Sequence, residues 1–320
     1  MSTNTRTILV VGATGQQGGY VLTELSTLLS TTPEPKIKIK ILALTRSASS
    51  PKAQALLSQF PHLDLALVEG DTRTPAPIFA ANPDIDTVFS YTTPPDEEPQ
   101  ATALVDCAAA HAKASSNKQV HFVFSSVDRG GELKSWDNPT ETPHFIEKHN
   151  VELHLRSVAK GSDGKLTYTI LRPVAFMDNL NPTSSFGKVF ASLWNTMPAS
   201  TKLQLVSVRD IGLFAAKALL DPTAYQGRAV GLAGDELTLA EAQAVFRRVA
   251  GLELPQTWTI VGWGVRHLLA AKHVGPMLTW FETDGYGVDI AALRSEEPRL
   301  QDFETWLRES SKFECSKEGK

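Results

Sequence analysis

Short runs of continuously apolar, β-branched residues alternate along this chain with longer stretches whose apolar positions recur every three to four residues. The first run, Thr7-Ile8-Leu9-Val10-Val11, breaks into Gly12-Ala13-Thr14-Gly15-Gln16-Gln17-Gly18-Gly19. Apolar residues then resume at helical spacing with Val21, Leu22, Leu25, Leu28 and Leu29. This predicts strand, tight turn and helix, the opening unit of a dinucleotide-binding fold. Gly12 allows the turn, Gly15 lets backbone approach a pyrophosphate, and Gly18 lets the helix pack tightly on the strand. The helix N-terminus offers free N–H groups and partial positive charge to phosphates. Glycine-rich turns also serve as plain connectors; a directly preceding strand favours the dinucleotide reading.

The pattern repeats. Lys36–Leu44 is a second strand ending in Thr45-Arg46-Ser47, Pro51–Phe60 a helix, and Leu63–Glu69 a third strand ending in Gly70-Asp71-Thr72. A short helix through Ile78 and Phe79 leads to a strand over Asp86–Tyr91 and the exit Thr92-Thr93-Pro94-Pro95. Gln100–Lys113 is a helix, Val120–Phe124 a fifth strand ending in Ser125-Ser126-Val127, and Asp128–Pro139 an irregular polar stretch. A helix from Thr142 to about Val158 precedes a sixth strand, Leu166–Leu171. Strands separated by helices predict an α/β fold, a doubly wound parallel sheet of Rossmann type.

From Val174 the rhythm changes. Helices are expected over Phe186–Trp194, Asp210–Leu220 and Leu239–Val249, strands over Leu203–Val206 and Arg228–Leu232, and lid helices over Trp263–Phe281. The last dozen residues read as frayed. The expected division is a cofactor-binding domain over residues 1–175 and a smaller mixed or helical substrate lobe over 176–320. Segments around 203–232 are expected to return to the large sheet. The lobe's aromatics (Trp194, Trp258, Trp263, Trp280, Phe281) read as core.

The ends of the strands carry the chemistry. An NAD site presents an acid after the second strand, to accept from the ribose 2′-OH. Arg46 stands there instead, and a guanidinium suits a 2′-phosphate, so NADP(H) is the expected cofactor. A solvated loop arginine is the alternative. Asp71 either reaches the adenine rim or caps a helix. The Thr92-Thr93 exit either runs beside the cofactor's ribose or is simply a loop. Past strand five, Ser125 or Ser126 supplies a hydroxyl to polarise a substrate oxygen. On the next helix His144 and Lys148 stand at i and i+4 on one face. That is the Tyr-x-x-x-Lys spacing of short-chain dehydrogenases with histidine in the tyrosine's place. His144 is either a proton donor or a packing residue; Lys148 is the expected ribose ligand.

Composition narrows the class without changing this picture. The 320 residues carry net charge -4, with 42% apolar and 21% charged content. No electrostatic footprint for nucleic acid or membrane is present. The two cysteines, Cys107 and Cys315, make no disulfide framework. The first residues lack a signal-peptide core and no apolar run reaches the ~18 residues of a span, so a cytoplasmic protein is expected, with no metal site.

Taken together, Gly-Ala-Thr-Gly-Gln-Gln-Gly-Gly (12–19), Thr-Arg-Ser (45–47), Gly-Asp (70–71) and the His144…Lys148 pair are one half of a resemblance. Leu-Arg-Pro…Phe-Met-Asp-Asn (171–179), Ser-Val-Arg-Asp-Ile-Gly (207–212) and the late Gly-Tyr-Gly-Val-Asp-Ile segment are the other. In this order they resemble the NmrA-like family of atypical short-chain dehydrogenase/reductases, over about residues 5–310. The resemblance implies that Gly12, Thr14, Gly15, Gln16 and Gln17 hold the pyrophosphate and Arg46 the 2′-phosphate. It implies Asp71 near adenine, Thr92 and Thr93 beside the ribose, Lys148 on the nicotinamide ribose, and Phe176 and Asn179 close to the nicotinamide. The family contains reductases of quinones, imines and enones, and cofactor-binding regulators. The expectation is an NADPH-dependent oxidoreductase acting on a conjugated or quinone-like small molecule. The alternatives are an NADP(H)-sensing regulator with a protein partner and, last, a non-redox isomerase or cyclase.

Overall fold

The computed structural model describes residues 5–31, 37–114, 118–182, 185–256, 264 and 274–315. The apolar runs become β1 (Thr5–Val11), β2 (Lys38–Thr45), β3 (Asp64–Glu69), β4 (Ile85–Tyr91), β5 (Val120–Ser125) and β6 (Leu166–Pro173). Later strands are β7 (Ala175–Phe176), β8 (Leu203–Val206), β9 (Ala229–Leu232) and β10 (Asp235–Leu237). The helices that bear on the site are α1 (Gln16–Thr31), α2 (Pro51–Gln59), α3 (Ala76–Ala81), α4 (Glu97–Lys113), α5 (Lys134–Asp137) and α6 (Pro143–Lys160). They are followed by α7 (Ser185–Trp194), α8 (Val208–Leu220), α9 (Pro222–Tyr225) and α10 (Leu239–Ala250).

Two compact units result. The first comprises Met1–Ser126, Glu147–Leu171 and Ile211–Val230; the second comprises Val127–Ile146, Arg172–Asp210 and Gly231–Lys320. The large sheet runs β3-β2-β1-β4-β5-β6-β9, and β1 pairs in parallel with both β2 and β4. Ile8, Leu9 and Val10 are fully buried, as a strand with helices on both faces requires. Because the chain order reverses at β1, the crevice beyond the ends of β1 and β4 is where ligands bind in such sheets. Glycines set the helix spacing. A Cβ at Gly18 would stand 2.4 Å from the Gly12 carbonyl oxygen, and one at Gly212 in α8 would stand 2.7 Å from the Tyr20 backbone.

In the second unit β8 lies between β10 and β7 in a three-stranded sheet, parallel to β7 and antiparallel to β10. Within residues 203–232, then, β9 joins the large sheet while β8 belongs to the small one. Phe246, Phe303, Trp306, Trp194 and Met177 anchor an apolar cluster. Thr238 and Glu241 form a reciprocal capping box at the start of α10, and Gly251 closes it at φ 70. Of the last dozen residues, expected to be frayed, those up to Cys315 are described, and there the expectation is corrected: Lys312 N donates to Asn181 Oδ1 at 3.0 Å, and Phe313 packs edge-on against Phe246. Of the expected lid, Val274–Thr283 is helical; Trp258 and Trp263 lie outside the described residues. Among the described residues no helix is long and apolar enough to cross a membrane, and no cluster of ligating side chains could hold a metal.

Candidate functional site

β1 ends at Val11, and Gly12 takes φ +60, a left-handed conformation that a side chain disfavours. Gly15 N donates to the Gly12 carbonyl at 2.8 Å, closing the turn, and α1 begins at Gln16. The first-turn N–H groups of Gln16, Gln17 and Gly18 have no acceptor within the helix, so an anion is favoured there. Thr14 and Gln17 are half-buried on this turn and Gln16 is exposed.

Arg46 follows β2 directly and is exposed, with no ion pair or hydrogen bond among the described residues. Asp71 follows β3, and its carboxylate accepts from Arg73 N at 2.8 Å. It caps its own turn rather than α3, whose N-cap is Pro75. Tyr91, the last residue of β4, lays its phenol across the glycine turn, with the hydroxyl 3.5 Å from the Gly12 carbonyl. Burial pushes the phenol above its ordinary pKa, and the Arg46 charge pulls against that shift.

Beyond β4, Thr92 is buried and Thr93 exposed. Gln100 reaches back from α4 to the carbonyls of Thr93, Pro95 and Asp96 at 2.8, 2.9 and 3.1 Å, holding the exit loop. Lys148 in α6 donates to Glu97 at 2.6 Å and to Thr92 Oγ1 at 2.9 Å, and the Thr92 hydroxyl donates to Glu97 at 2.5 Å. Glu97 stands at the start of α4 and is 1% exposed. An ammonium has three donors, so two are engaged and one is left. At the end of β5, Ser125 and Ser126 are both buried. Ser126 donates to the buried Glu152 at 2.5 Å, whereas the Ser125 hydroxyl has no hydrogen-bond partner among the described residues.

The remaining expected residues lie in the second unit. His144 opens α6, half-buried, with its ring edge-on to Phe145 at 4.6 Å. Phe145 in turn meets Trp280 edge-on at 5.4 Å. Trp280 lines a cleft of about 800 Å3 together with Lys134, Thr140, Glu141, Thr279 and Asp284. Phe176 is half-buried in β7, and Asn179 is half-buried in the 3-10 turn Met177–Leu180.

The stretch Asp128–Pro139 is less irregular than its composition suggests. It contains α5 and is built around the buried side chains of Asp128 and Arg129. Asp128 accepts from Gly130 N, Gly131 N and Gly287 N at 3.0, 3.1 and 2.9 Å. Arg129 donates to the carbonyls of Val127, Ser135 and Asn138 at 2.8, 2.6 and 2.9 Å. Beside them Asp128 and burial hold the Tyr286 phenol protonated, far above its ordinary pKa.

The model of one family, the NmrA-like family, matches residues 4–263. The chain belongs to the NmrA-like family. A curated NmrA-like family domain-containing protein of Dictyostelium discoideum is 23% identical over 313 residues, covering 94% of this chain and 96% of its own. Among solved structures, NmrA, a negative transcriptional regulator in complex with NADP, superposes with TM-score 0.65 at 16% identity, covering 97% of this chain and 96% of its own. An NADPH-dependent quinone oxidoreductase of Escherichia coli complexed with NADPH gives TM-score 0.66 at 19% identity, with coverages of 93% and 96%. At these identities the likeness is one of fold.

Measured against a dinucleotide, the NmrA-like chain's own residues fit. The cradle is one that a Cβ on Gly12 or Gly15 would fill, helix N–H groups edge it, and an unpaired cation stands beyond β2. Glu97 and Tyr91 are the polar contacts that sequence reasoning missed. Glu97 lies before the helix expected over Gln100–Lys113, and Tyr91 read as the end of a strand; no spacing signal marks either.

Proposed function

We propose that this NmrA-like protein binds NADP(H) and reduces a conjugated or quinone-like small molecule. The observation that carries the reading is the exposed Arg46 after β2, together with a turn at whose Gly12 and Gly15 no side chain of their own stands toward a diphosphate. Bound NADPH supplies a hydride. The glycine turn from Gly12 through Gly18 holds the diphosphate by backbone N–H groups, and Arg46 holds the 2′-phosphate. Lys148, fixed by Glu97 and Thr92, offers its remaining donor to the nicotinamide ribose. Asp71 is assigned to the adenine edge, Thr93 to the ribose side, and Phe176 and Asn179 to the nicotinamide side. Ser125, whose hydroxyl is uncommitted, orients the acceptor, and His144 or water delivers the proton. A quinone draws its proton from water, so the absence of a tyrosine at position 144 is no obstacle. The aromatic series from Phe145 to Trp280 supports a flat acceptor.

The test is NADPH consumption with quinones and enones, alongside NADPH titration. Turnover above background with at least one acceptor supports a reductase, and none across the set argues against it. In His144→Phe, NADPH affinity should stay unchanged while turnover falls; unchanged turnover removes the proton-donor role.

The engaged hydroxyls of Ser126 and Thr92 favour a second reading, a cofactor-sensing regulator with little turnover. Partner capture that depends on NADP+ occupancy supports it; capture indifferent to occupancy rejects it.

A further inference from the structure

We infer that the Tyr91 hydroxyl is a ligand of the dinucleotide's phosphate groups at the glycine turn. This rests on the NADP(H) reading and adds a residue to it.

Three observations converge on one oxygen. A Cβ built on Gly12 would stand 2.4 Å from Tyr91 Oη, and a Cβ built on Gly15 would also stand 2.4 Å from it. The phenol oxygen therefore sits against both glycines, at the place where a diphosphate would approach the backbone. Second, the hydroxyl is poorly used. Its acceptor, the Gly12 carbonyl at 3.5 Å, is at the long limit of a hydrogen bond and already takes Gly15 N at 2.8 Å. A donor held so loosely on a partly exposed side chain loses little by turning to a stronger acceptor. Third, β4 lies on the side of β1 away from β2, and the residue after Tyr91, Thr92, is held by Lys148, so the phenol reaches the turn from the β5 side of the sheet.

The chemistry suits a phosphate. A phenol that stays protonated is a neutral donor, so it adds a hydrogen bond to an anionic oxygen without adding charge to the site. It complements Arg46, whose contribution is a full charge.

The experiment is calorimetric titration of the full chain and of Tyr91→Phe with NADPH and with 2′-AMP, which keeps the 2′-phosphate and lacks the diphosphate, with thermal melts of both proteins. Phenylalanine keeps the ring over the glycines and removes only the donor. The expected result is Kd raised about tenfold for NADPH, as loss of one hydrogen bond to a charged group predicts. The 2′-AMP Kd and the melting temperature should stay unchanged. Wild-type NADPH affinity in Tyr91→Phe overturns the inference. So does an equal loss with 2′-AMP, which reports a disturbed fold. A wild-type chain that binds no NADPH overturns the cofactor reading itself and this inference with it.

Discussion

Lys148 and Arg129 are both buried cations, and they solve the same problem in opposite ways. Taking a charge out of water costs several kcal/mol unless partners replace the solvent. Arg129 is 0% exposed and its guanidinium fans out to the carbonyls of Val127, Ser135 and Asn138. Those three carbonyls turn the dipoles of the loop it organises toward its charge. Lys148 keeps 12% of its side chain exposed and is balanced by one full carboxylate, Glu97, with Thr92 joining the two. The first cation shapes a loop, while the second is aimed by two neighbours and keeps a donor in reserve. Burial alone therefore does not mark a functional cation; what matters is whether a donor is left over.

The comparison breaks most visibly at Arg129. Arg129→Ala takes the donor from three carbonyls, two of them on buried residues, and leaves a void, so the expected loss of stability is about 4 kcal/mol, read by denaturant unfolding. NADPH affinity of the remaining folded protein should hold; an affinity loss matching that of a Lys148 variant would erase the distinction between the two cations.

A third buried group sharpens the contrast by staying neutral. His121 is 2% exposed and hydrogen-bonded to the hydroxyls of Thr167 and Thr169. Burial lowers its pKa from 6.5 to about 4. The unfolded chain binds the proton at higher pH than the native one, so the stability this group contributes is present above pH 6.5 and lost as pH falls toward 4. The full effect is about 3 kcal/mol. Asp86, raised above its ordinary value by burial, acts in the opposite sense at the acid end. Unfolding of His121→Gln between pH 7 and 4 should show a shallower loss than the wild type, and an unchanged slope would mean another group is responsible.

The smallest expected effect is the most diagnostic. Glu97→Gln keeps the shape at the start of α4 and removes the countercharge, at a cost of about 1–2 kcal/mol in stability. It should also weaken NADPH several-fold, because Lys148 loses its strongest restraint. Destabilisation with wild-type NADPH affinity would place Lys148 with Arg129, as a cation that serves the fold.

Much of the nucleotide frame was legible in the residues, and for a definite reason. Ile8–Val11 and Ile41–Leu44 are continuous apolar runs, which only a strand covered on both faces needs; glycines then punctuate the turn. Arg46 was legible because one position after β2 separates an acid from a base. The loop around Arg129 was not. A run of charged and small residues reads as solvent-facing, and burial of its arginine depends on carbonyls 2 to 9 residues along the chain. β10, three residues long, is too short for alternation to register. Glu97 and Tyr91 escaped notice because their partners come from other strands and helices, which no local pattern encodes.

The interleaving of the two units bears on how this polypeptide is made. β9, at the edge of the large sheet, is encoded about 60 residues after β6, the strand it lies beside, and between them comes most of α7, β8 and α8. As the chain leaves the ribosome, β6 must wait with an unpaired edge while those segments emerge. An open edge in a nascent sheet invites intermolecular pairing. A chain stopped short of Ala229 would keep every residue assigned to the nucleotide and still lack the strand that closes its sheet, so solubility during synthesis, rather than affinity, is where such a truncation should fail.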